Sequence, residues 1–179
     1  MTHSNTLSLW LIAAAAVLLV NGCAYNEYRR DRLATEAAPL NLVRQAQQRY
    51  ALADGHMRHR HYGPAISAYA SGLLFLIQYR EECRTTRCSA RQIQAMNKLF
   101  AIGYQELARA EYLVGRYASS LNDFRKALKY DQYNAKTHYY LALIFAHQRQ
   151  HDLVYQEYDI LTRVDPKLAK RIEKYLQYH

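Results

Sequence analysis

The segment from His56 to His61 (HMRHRH) interleaves three histidines with two arginines and is where the chain comes closest to metal-binding chemistry. Imidazoles two positions apart can share a metal ion. The intervening guanidinium groups repel a cation, however, and no neighbouring carboxylate completes a ligand set. Acidification would instead charge the imidazoles and make the segment more basic. We therefore interpret it as a solvated basic turn and expect neither a metal nor a cofactor within the fold.

Catalytic chemistry finds no support in the residue pattern. Glu81 and Glu82 are neighbours on a helix, so their carboxylates point in different directions and cannot act on one atom. No nucleophile elbow, phosphate-binding loop or zinc-protease helix occurs in the sequence. We expect a protein that binds and is not an enzyme.

The start of the chain is a short apolar run, Leu7 to Val20, that ends in Asn21-Gly22-Cys23. A membrane span needs about 20 apolar residues, so this shorter run suits the core of a secretory signal better. The ending resembles a bacterial lipobox, in which the cysteine is acylated and becomes the first residue of the mature chain. An uncleaved signal anchor and plain secretion are the alternatives.

The lipobox resemblance implies a signal peptide at residues 1–22, a lipidated Cys23 with a polar tether at 23–40, and a folded domain at 41–179. Two or more acyl chains hold a protein stably on a membrane. Ala24 stands where an aspartate usually signals inner-membrane retention. We therefore expect a lipid anchor on the periplasmic side of the outer membrane.

Cys83 and Cys88 lie in a polar segment between two helical stretches. An exported chain meets an oxidising compartment, so we expect these cysteines to form a disulfide. Such a bond would pin a helix–helix connection and stabilise the fold by roughly 2 kcal/mol. Two free thiols are the alternative, and a zinc site is disfavoured because four ligands do not cluster nearby.

Residues 101–168 contain two copies of one helical hairpin. Three pairs of matching residues are each 34 positions apart, namely Leu107 and Leu141, Phe124 and Tyr158, and Ala127 and Leu161. A weaker copy lies upstream and contains Leu52, which is 55 residues before Leu107. The pattern predicts repeats at about 46–79, 101–134 and 135–168. The residues between the first two copies are expected to extend one helix to about Glu82 and to start the next near Ala90.

This period and pattern resemble the tetratricopeptide repeat (TPR), and the resemblance covers most of the mature chain. It implies an all-α solenoid of about three helical hairpins with a capping helix at 169–179, whose Ile172, Tyr175 and Leu176 face inward. Gly115 falls between the helices of the second repeat, where a turn is expected to need a positive φ. Glu111 departs from the pattern because it occupies an aromatic site.

In this family the first helix of each hairpin lines a groove, and the resemblance therefore implies a set of partner-binding residues. They are Tyr50, Asp54 and Arg58 in the first repeat, Gln105, Arg109 and Tyr112 in the second, and Lys136, Tyr139, Leu143 and His147 in the third. A mixture of arginine, lysine and tyrosine fits an extended peptide or an acidic segment. A groove filled by the C-terminal helix or by an oligomer partner is the alternative.

The formal net charge is +9, and the leader carries none of it. A basic exported protein can meet anionic lipid headgroups, lipopolysaccharide or peptidoglycan. No basic stretch interleaves with aromatics as in nucleic-acid modules, so we expect no nucleic-acid partner. The sequence favours a membrane-anchored periplasmic adaptor that binds a protein partner in the assembly of a pilus, secretion or outer-membrane complex. The alternative is a basic lipoprotein that binds an anionic envelope polymer or lipid.

Overall fold

The computed structural model describes residues 41–176, and every regular element in this range is helical. Helix α1 occupies residues 41–58. The later helices are α2 (Tyr62–Thr86), α3 (Ala90–Leu113), α4 (Tyr117–Tyr130), α5 (Ala135–His147), α6 (His151–Val164) and α7 (Pro166–Ile172), followed by a 3₁₀ turn at Glu173–Tyr175. The predicted all-α fold of stacked hairpins is confirmed. The predicted leader, Cys23 and the tether lie outside the described residues.

Three short turns join the paired helices, and all three have the same geometry. Their central residues are Arg60 (φ 58°), Gly115 (φ 79°) and Arg149 (φ 57°), at matching positions of the repeat. In each turn the residue after the central one donates its backbone N–H to the carbonyl oxygen five residues earlier, as in a Schellman motif. The donors are His61, Arg116 and Gln150, and each N···O distance is 2.9 Å. The positive φ expected at Gly115 is confirmed, and two arginines adopt the same conformation without glycine's freedom.

The predicted disulfide joins the last turns of α2 to the connection that leads into α3. Cys83 and Cys88 are bonded, with their Cα atoms 4.9 Å apart, so the expected pairing is confirmed. Helix α2 continues to Thr86, beyond the predicted end near Glu82, because Arg87 caps it in the left-handed region and donates to the Cys83 carbonyl. Helix α3 begins at Ala90 as predicted, behind a capping box formed by Ser89 and Gln92.

Two clusters of buried side chains hold the hairpins together. The upstream core draws on α1, α2 and α3, and the downstream core draws on α3 to α7. Helix α3 serves both, since Leu107 belongs to the upstream core and its neighbour Ala108 to the downstream core. Leu107 and Phe124, the two residues on which the hairpin prediction depends most, are both buried.

Tyr50 fixes α1 against the next two helices. Its ring lies where a Cβ atom on Gly72 of α2 or Gly103 of α3 would overlap it, so both helices approach Tyr50 only because these positions lack side chains. The Tyr50 hydroxyl donates to the Leu99 carbonyl at 3.3 Å. One tyrosine therefore locks three helices together.

The C-terminal cap begins at Pro166, three residues before the predicted boundary at 169. The Asp165 side chain accepts from the backbone N–H groups of Lys167 and Leu168 at 3.0 and 3.2 Å, and Pro166 occupies the first helical turn. An aspartate cap followed by proline is a strong helix start. Ala169 and Ile172 are buried in the downstream core, so α7 covers the end of the stack as expected.

Candidate partner-binding groove

The predicted groove residues of α1 have three different environments. Tyr50 is buried and presents no surface to a partner, which corrects its assignment to the groove. Asp54 is exposed and accepts a short hydrogen bond from the hydroxyl of Tyr69 on α2. Arg58 is exposed in the last turn of the helix. Of the three predicted groove residues of α1, Asp54 and Arg58 are accessible to a ligand.

On α3, one predicted residue lies inside the protein and two lie at its surface. Gln105 is buried and donates to the Glu106 carboxylate at 2.8 Å, so it too presents no surface, contrary to the expectation. Arg109 is half-buried and forms an ion pair with the same carboxylate. Tyr112 is half-buried. Glu106 therefore orients both the buried amide and the accessible guanidinium group.

The four predicted residues of α5 are all at least partly accessible. Lys136 and His147 are exposed at the two ends of the helix, and Tyr139 and Leu143 between them are half-buried. This helix supplies more accessible predicted groove residues than α1 or α3.

Electrostatic interactions connect the three hairpins. Burial raises the pKa of the Tyr69 hydroxyl, and the Asp54 carboxylate to which it donates raises that pKa further. The charges of Glu106 and Arg109 act on the same hydroxyl, and Arg109 also acts on Tyr140 of α5, where it opposes the rise in pKa that burial causes. Asp54, Tyr69, Arg109 and Tyr140 therefore influence one another electrostatically across α1, α2, α3 and α5.

Aromatic rings form the part of the groove between α3 and α5. The ring of Tyr112 lies 5.6 Å from that of Tyr117 and 5.3 Å from that of Tyr140. Tyr140 contacts Tyr139 edge-on at 5.5 Å, and Tyr117 lies 4.5 Å from the imidazole of His147. Half-buried tyrosines keep their positions at low entropic cost and offer both an apolar face and a hydroxyl to a ligand.

The C-terminal cap borders this aromatic cluster. The guanidinium group of Arg171 lies 4.7 Å above the ring of Tyr139, a cation–π contact between α7 and α5. Arg171 itself remains exposed. The C-terminal segment therefore borders the groove in two places, because Arg171 covers the Tyr139 ring and Tyr175 acts on the Tyr112 hydroxyl.

Sequence reasoning missed Tyr69, Glu106, Tyr140 and Arg171. Glu106 lies three residues before Arg109, a spacing that signals an ion pair on a helix. Tyr140 follows a predicted groove residue directly. Tyr69 and Arg171 belong to a second helix and to the cap, where the repeat pattern gives no signal for a groove.

A buried acid lies in the second hairpin. Burial, followed by the nearby Asp123 carboxylate, raises the pKa of Glu111 to about 7, although Arg116 and Lys126 oppose the shift. One Glu111 carboxylate oxygen has no hydrogen-bond partner. Asp123 accepts from the Lys126 ammonium at 2.7 Å. Asp123 is thus paired with a cation, whereas Glu111, which departs from the repeat pattern, keeps one oxygen without a partner.

A buried imidazole lies in the third hairpin. The Nδ1 atom of His138 is 2.6 Å from a Glu157 carboxylate oxygen, and Nε2 is 2.9 Å from the Gln132 carbonyl. Burial opposes the charged form, but the Glu157 and Gln132 acceptors outweigh it and raise the pKa of His138. Since both ring nitrogens face acceptors, the imidazolium form satisfies the site best.

The histidine-rich segment does not form a ligand cage. The rings of His56 and His61 are 6.3 Å apart, and those of His59 and His61 are 6.1 Å apart. Within residues 41–176, no three side chains of the histidine, cysteine, aspartate or glutamate type are grouped to hold a metal ion. In the same range, no helix is both long and apolar enough to cross a bilayer.

Comparison with known proteins adds no family assignment. No protein-family model matches the chain, and no curated protein matches it. Among solved structures, a crystal structure of MamA protein is similar at 15% identity and a TM-score of 0.37, over 74% of this chain and 88% of that one. A second MamA structure has 16% identity and a TM-score of 0.37, over 70% of this chain and 91% of that one. At these values the similarity supports no functional conclusion, and the assignment of stacked hairpins depends on the helices themselves.

Proposed function

We propose that this protein is an adaptor that binds an extended or acidic segment of a partner protein in the groove of α3 and α5. The observation that carries the proposal is the clustering of the Tyr112, Tyr139 and Tyr140 rings from two hairpins, with the charge of Arg109 acting on the Tyr140 hydroxyl. Stacked hairpins present extended surfaces of this kind and have no need of a catalytic pocket.

The charges at this surface favour a carboxylate-bearing partner. Arg109 is held in place by Glu106 yet keeps about a third of its side chain accessible. Lys136 and Arg171 add exposed cations beside Tyr139. A partner carboxylate would form charge-assisted hydrogen bonds with these groups, while its apolar side chains would pack on the tyrosine rings.

Membrane anchoring is the second part of the proposal. An acylated Cys23 would hold the domain at the periplasmic face of the outer membrane and raise its local concentration near envelope partners such as pilus, secretion or outer-membrane assembly proteins. Mass spectrometry of the mature N-terminus tests this point. A lipid-modified Cys23 supports it, and an intact Met1 overturns it.

The groove itself is tested by charge reversal. The double variant Arg109→Glu and Lys136→Glu is compared with Arg125→Glu, an exposed position on α4, in affinity capture from envelope extracts. We expect a partner of the wild-type protein to be lost with the groove variant and retained with the control. Circular dichroism must show equal melting for all three proteins. Retention of every partner by the groove variant would remove the basis of the assignment.

A polyanion-binding function is the second candidate, and α7 is the observation in its favour. Lys167, Lys170, Arg171 and Lys174 are all exposed, at spacings that place them along one side of the C-terminal segment. Anionic vesicles and peptidoglycan, titrated with salt, test it. Binding that falls steeply between low and physiological ionic strength favours this candidate, because surface charges are screened over about 8–10 Å under those conditions.

A further inference from the structure

Among residues 41–176, no other helix packs over one side of the first hairpin. This side, the upstream face, is formed by Gln45, Gln48, Arg49 and Leu52 of α1 and Phe75 of α2. These residues line a cavity of about 240 Å³ between the two helices. The cavity is separate from the groove residues of α3 and α5.

The internal repeat shows what such a face is built to do. Moving 55 residues along the chain converts Gln45, Gln48, Arg49, Leu52 and Phe75 into Phe100, Gly103, Tyr104, Leu107 and Tyr130. All five counterparts take part in the packing of the second hairpin against the first: four belong to the upstream core, and Gly103 receives the Tyr50 ring. The upstream face is therefore the surface that a preceding helix covers elsewhere in the stack.

The exposure of the leucine that recurs in each repeat also indicates that the upstream face is uncovered. Leu107 is 7% exposed and Leu141 is 2% exposed, whereas Leu52 at the same repeat position is 48% exposed. In the second hairpin, Phe100 and Tyr130 stack at 4.9 Å and receive Arg80 from the first hairpin, whose guanidinium carbon lies 5.5 Å from the Phe100 ring. In the first hairpin, the matching positions open onto the cavity.

The polar residues of the upstream face make it compatible with water. Glutamines and an arginine stand where the second hairpin has Phe100, Gly103 and Tyr104. Leu52 and Phe75 retain the apolar centre. An apolar centre with a polar rim is the composition of a reversible interface more than of an interior.

Charge identifies the occupant. Arg49 is the charged residue of the cavity lining, and α2 has no charged residue from Tyr62 to Tyr79. A second copy would meet this basic face with its own copy of it, or with the α7 end, which bears Lys167, Lys170 and Lys174. Both pairings place like charges together, which is unfavourable at an interface. A helix with carboxylates beside its apolar stripe is complementary.

We infer that the upstream face binds an acidic amphipathic helix of a partner protein, which takes the place of a preceding hairpin. The helix lays an apolar residue beside Leu52 and Phe75 and directs a carboxylate to Arg49. This surface is distinct from the groove, so the protein has two separate binding surfaces.

The test uses two synthetic amphipathic helices and the full chain. Both peptides have leucines along one side, flanked by glutamates in the acidic helix and by lysines in the basic helix. Fluorescence anisotropy of the labelled peptides measures their affinity. We expect the acidic helix to bind at least about tenfold more tightly than the basic one and Leu52→Gln to weaken it about tenfold, in the range of an interface anchor. Arg49→Glu should reverse the preference.

Two control variants place the peptide on the upstream face. Leu113→Gln changes a leucine of similar exposure, 41%, outside the face and should leave binding unchanged. Arg109→Glu disrupts the groove and should also leave it unchanged, so the two proposals fail separately. Equal binding of both helices, or loss in either control, overturns the inference. So does concentration-dependent dimerisation in sedimentation that Leu52→Gln abolishes, because the occupant would then be a second copy.

Discussion

The upstream and downstream cores bury different kinds of side chain. Within the described range, every buried polar or charged residue lies at or beyond Gln105, as a set comprising Gln105, Glu111, Ser120, Asp123, Thr137 and His138. Before that point, the buried residues are apolar side chains, tyrosines, glycines and one cysteine. The upstream core is therefore held by shape, with Tyr50 seated on two glycines, and the downstream core adds buried charge. Hairpins of the same kind can thus be stacked by shape or with the help of buried charge. We expect pH to change the stability of the downstream core and not that of the upstream core.

Removal of a ring from the upstream core should have the largest effect. Phe100 is fully buried and stacks on Tyr130, so Phe100→Ala leaves a cavity and is expected to lower the free energy of unfolding by about 3–5 kcal/mol. Urea denaturation at pH 6 and at pH 8 measures the loss. Because no ionisable partner is removed, the loss should be equal at both values. A strongly pH-dependent loss would show that the two cores are not separable.

Disruption of the pair formed by the His138 imidazole and the Glu157 carboxylate should have the next largest effect on stability, and this effect should depend on pH. The folded state raises the pKa of His138, so the stabilisation from His138 is complete below pH 6.5 and is lost as the pH rises through the folded-state pKa. Glu157→Gln removes the charged acceptor and should cost about 2 kcal/mol at pH 5.5. At pH 9 the cost should be clearly smaller. A cost that stays constant from pH 5.5 to 9 would mean that the imidazole does not charge in the folded protein.

Replacement of Gly72 by alanine tests whether close packing of Tyr50 against glycine stabilises the upstream core. A Cβ atom at Gly72 would lie 2.5 Å from the Tyr50 ring and 3.1 Å from the Ala46 carbonyl oxygen, so Gly72→Ala forces α1 away from α2. Overpacking should outweigh the gain in helix propensity and destabilise the fold by about 1–2 kcal/mol. Gly63→Ala is the matched control, because nothing lies within 4 Å of the added atom. It should be neutral or slightly stabilising, and similar melting temperatures for the two variants would contradict the packing account.

The smallest expected effect has the opposite sign. The folded state raises the pKa of Glu111 to about 7, so folding favours the protonated carboxyl and loses stability as the pH rises from about 4.5 to 7. Glu111→Gln replaces the buried charge with a neutral amide and should raise the free energy of unfolding by about 1 kcal/mol at pH 8. At pH 5 the variant and the wild type should be similar. Destabilisation at pH 8 would show that the Glu111 carboxylate is compensated by Arg116 and Lys126.

Much of the fold could be predicted from local signals. The 34-residue spacing of Leu107 and Leu141 located two hairpins, because each copy repeats the apolar pattern that its helices need. Gly115 marked the turn of the first of them, because a tight turn favours glycine locally. The Cys83–Cys88 bond was predictable because an exported chain meets an oxidising compartment and the two cysteines are only five residues apart. The start of the cap was predicted three residues too late, although Asp165-Pro166 is a recognisable helix start.

The candidate site was less predictable, because a tyrosine on a groove-lining helix can point either outward or into the core. Tyr50 was assigned to the groove, and only the coincidence of Gly72 and Gly103 in two other helices reveals that it is buried. Gln105 is turned inward by Glu106, its immediate neighbour. Arg171 contacts Tyr139 from the cap, and an alignment of the repeats cannot reveal this contact because the cap lies outside them. These contacts depend on how the helices pack, which the periodicity of one helix does not specify.

The turns between paired helices show where the protein holds a reserve of stability. Arg60 and Arg149 adopt the left-handed conformation that Gly115 adopts freely at the matching position. An L-residue with a Cβ atom is strained there by about 1–2 kcal/mol relative to the right-handed region. Glycine at these two positions would relax the backbone without disturbing either core. We expect Arg60→Gly and Arg149→Gly together to raise the melting temperature, with part of the gain offset by the larger entropy of glycine in the unfolded chain.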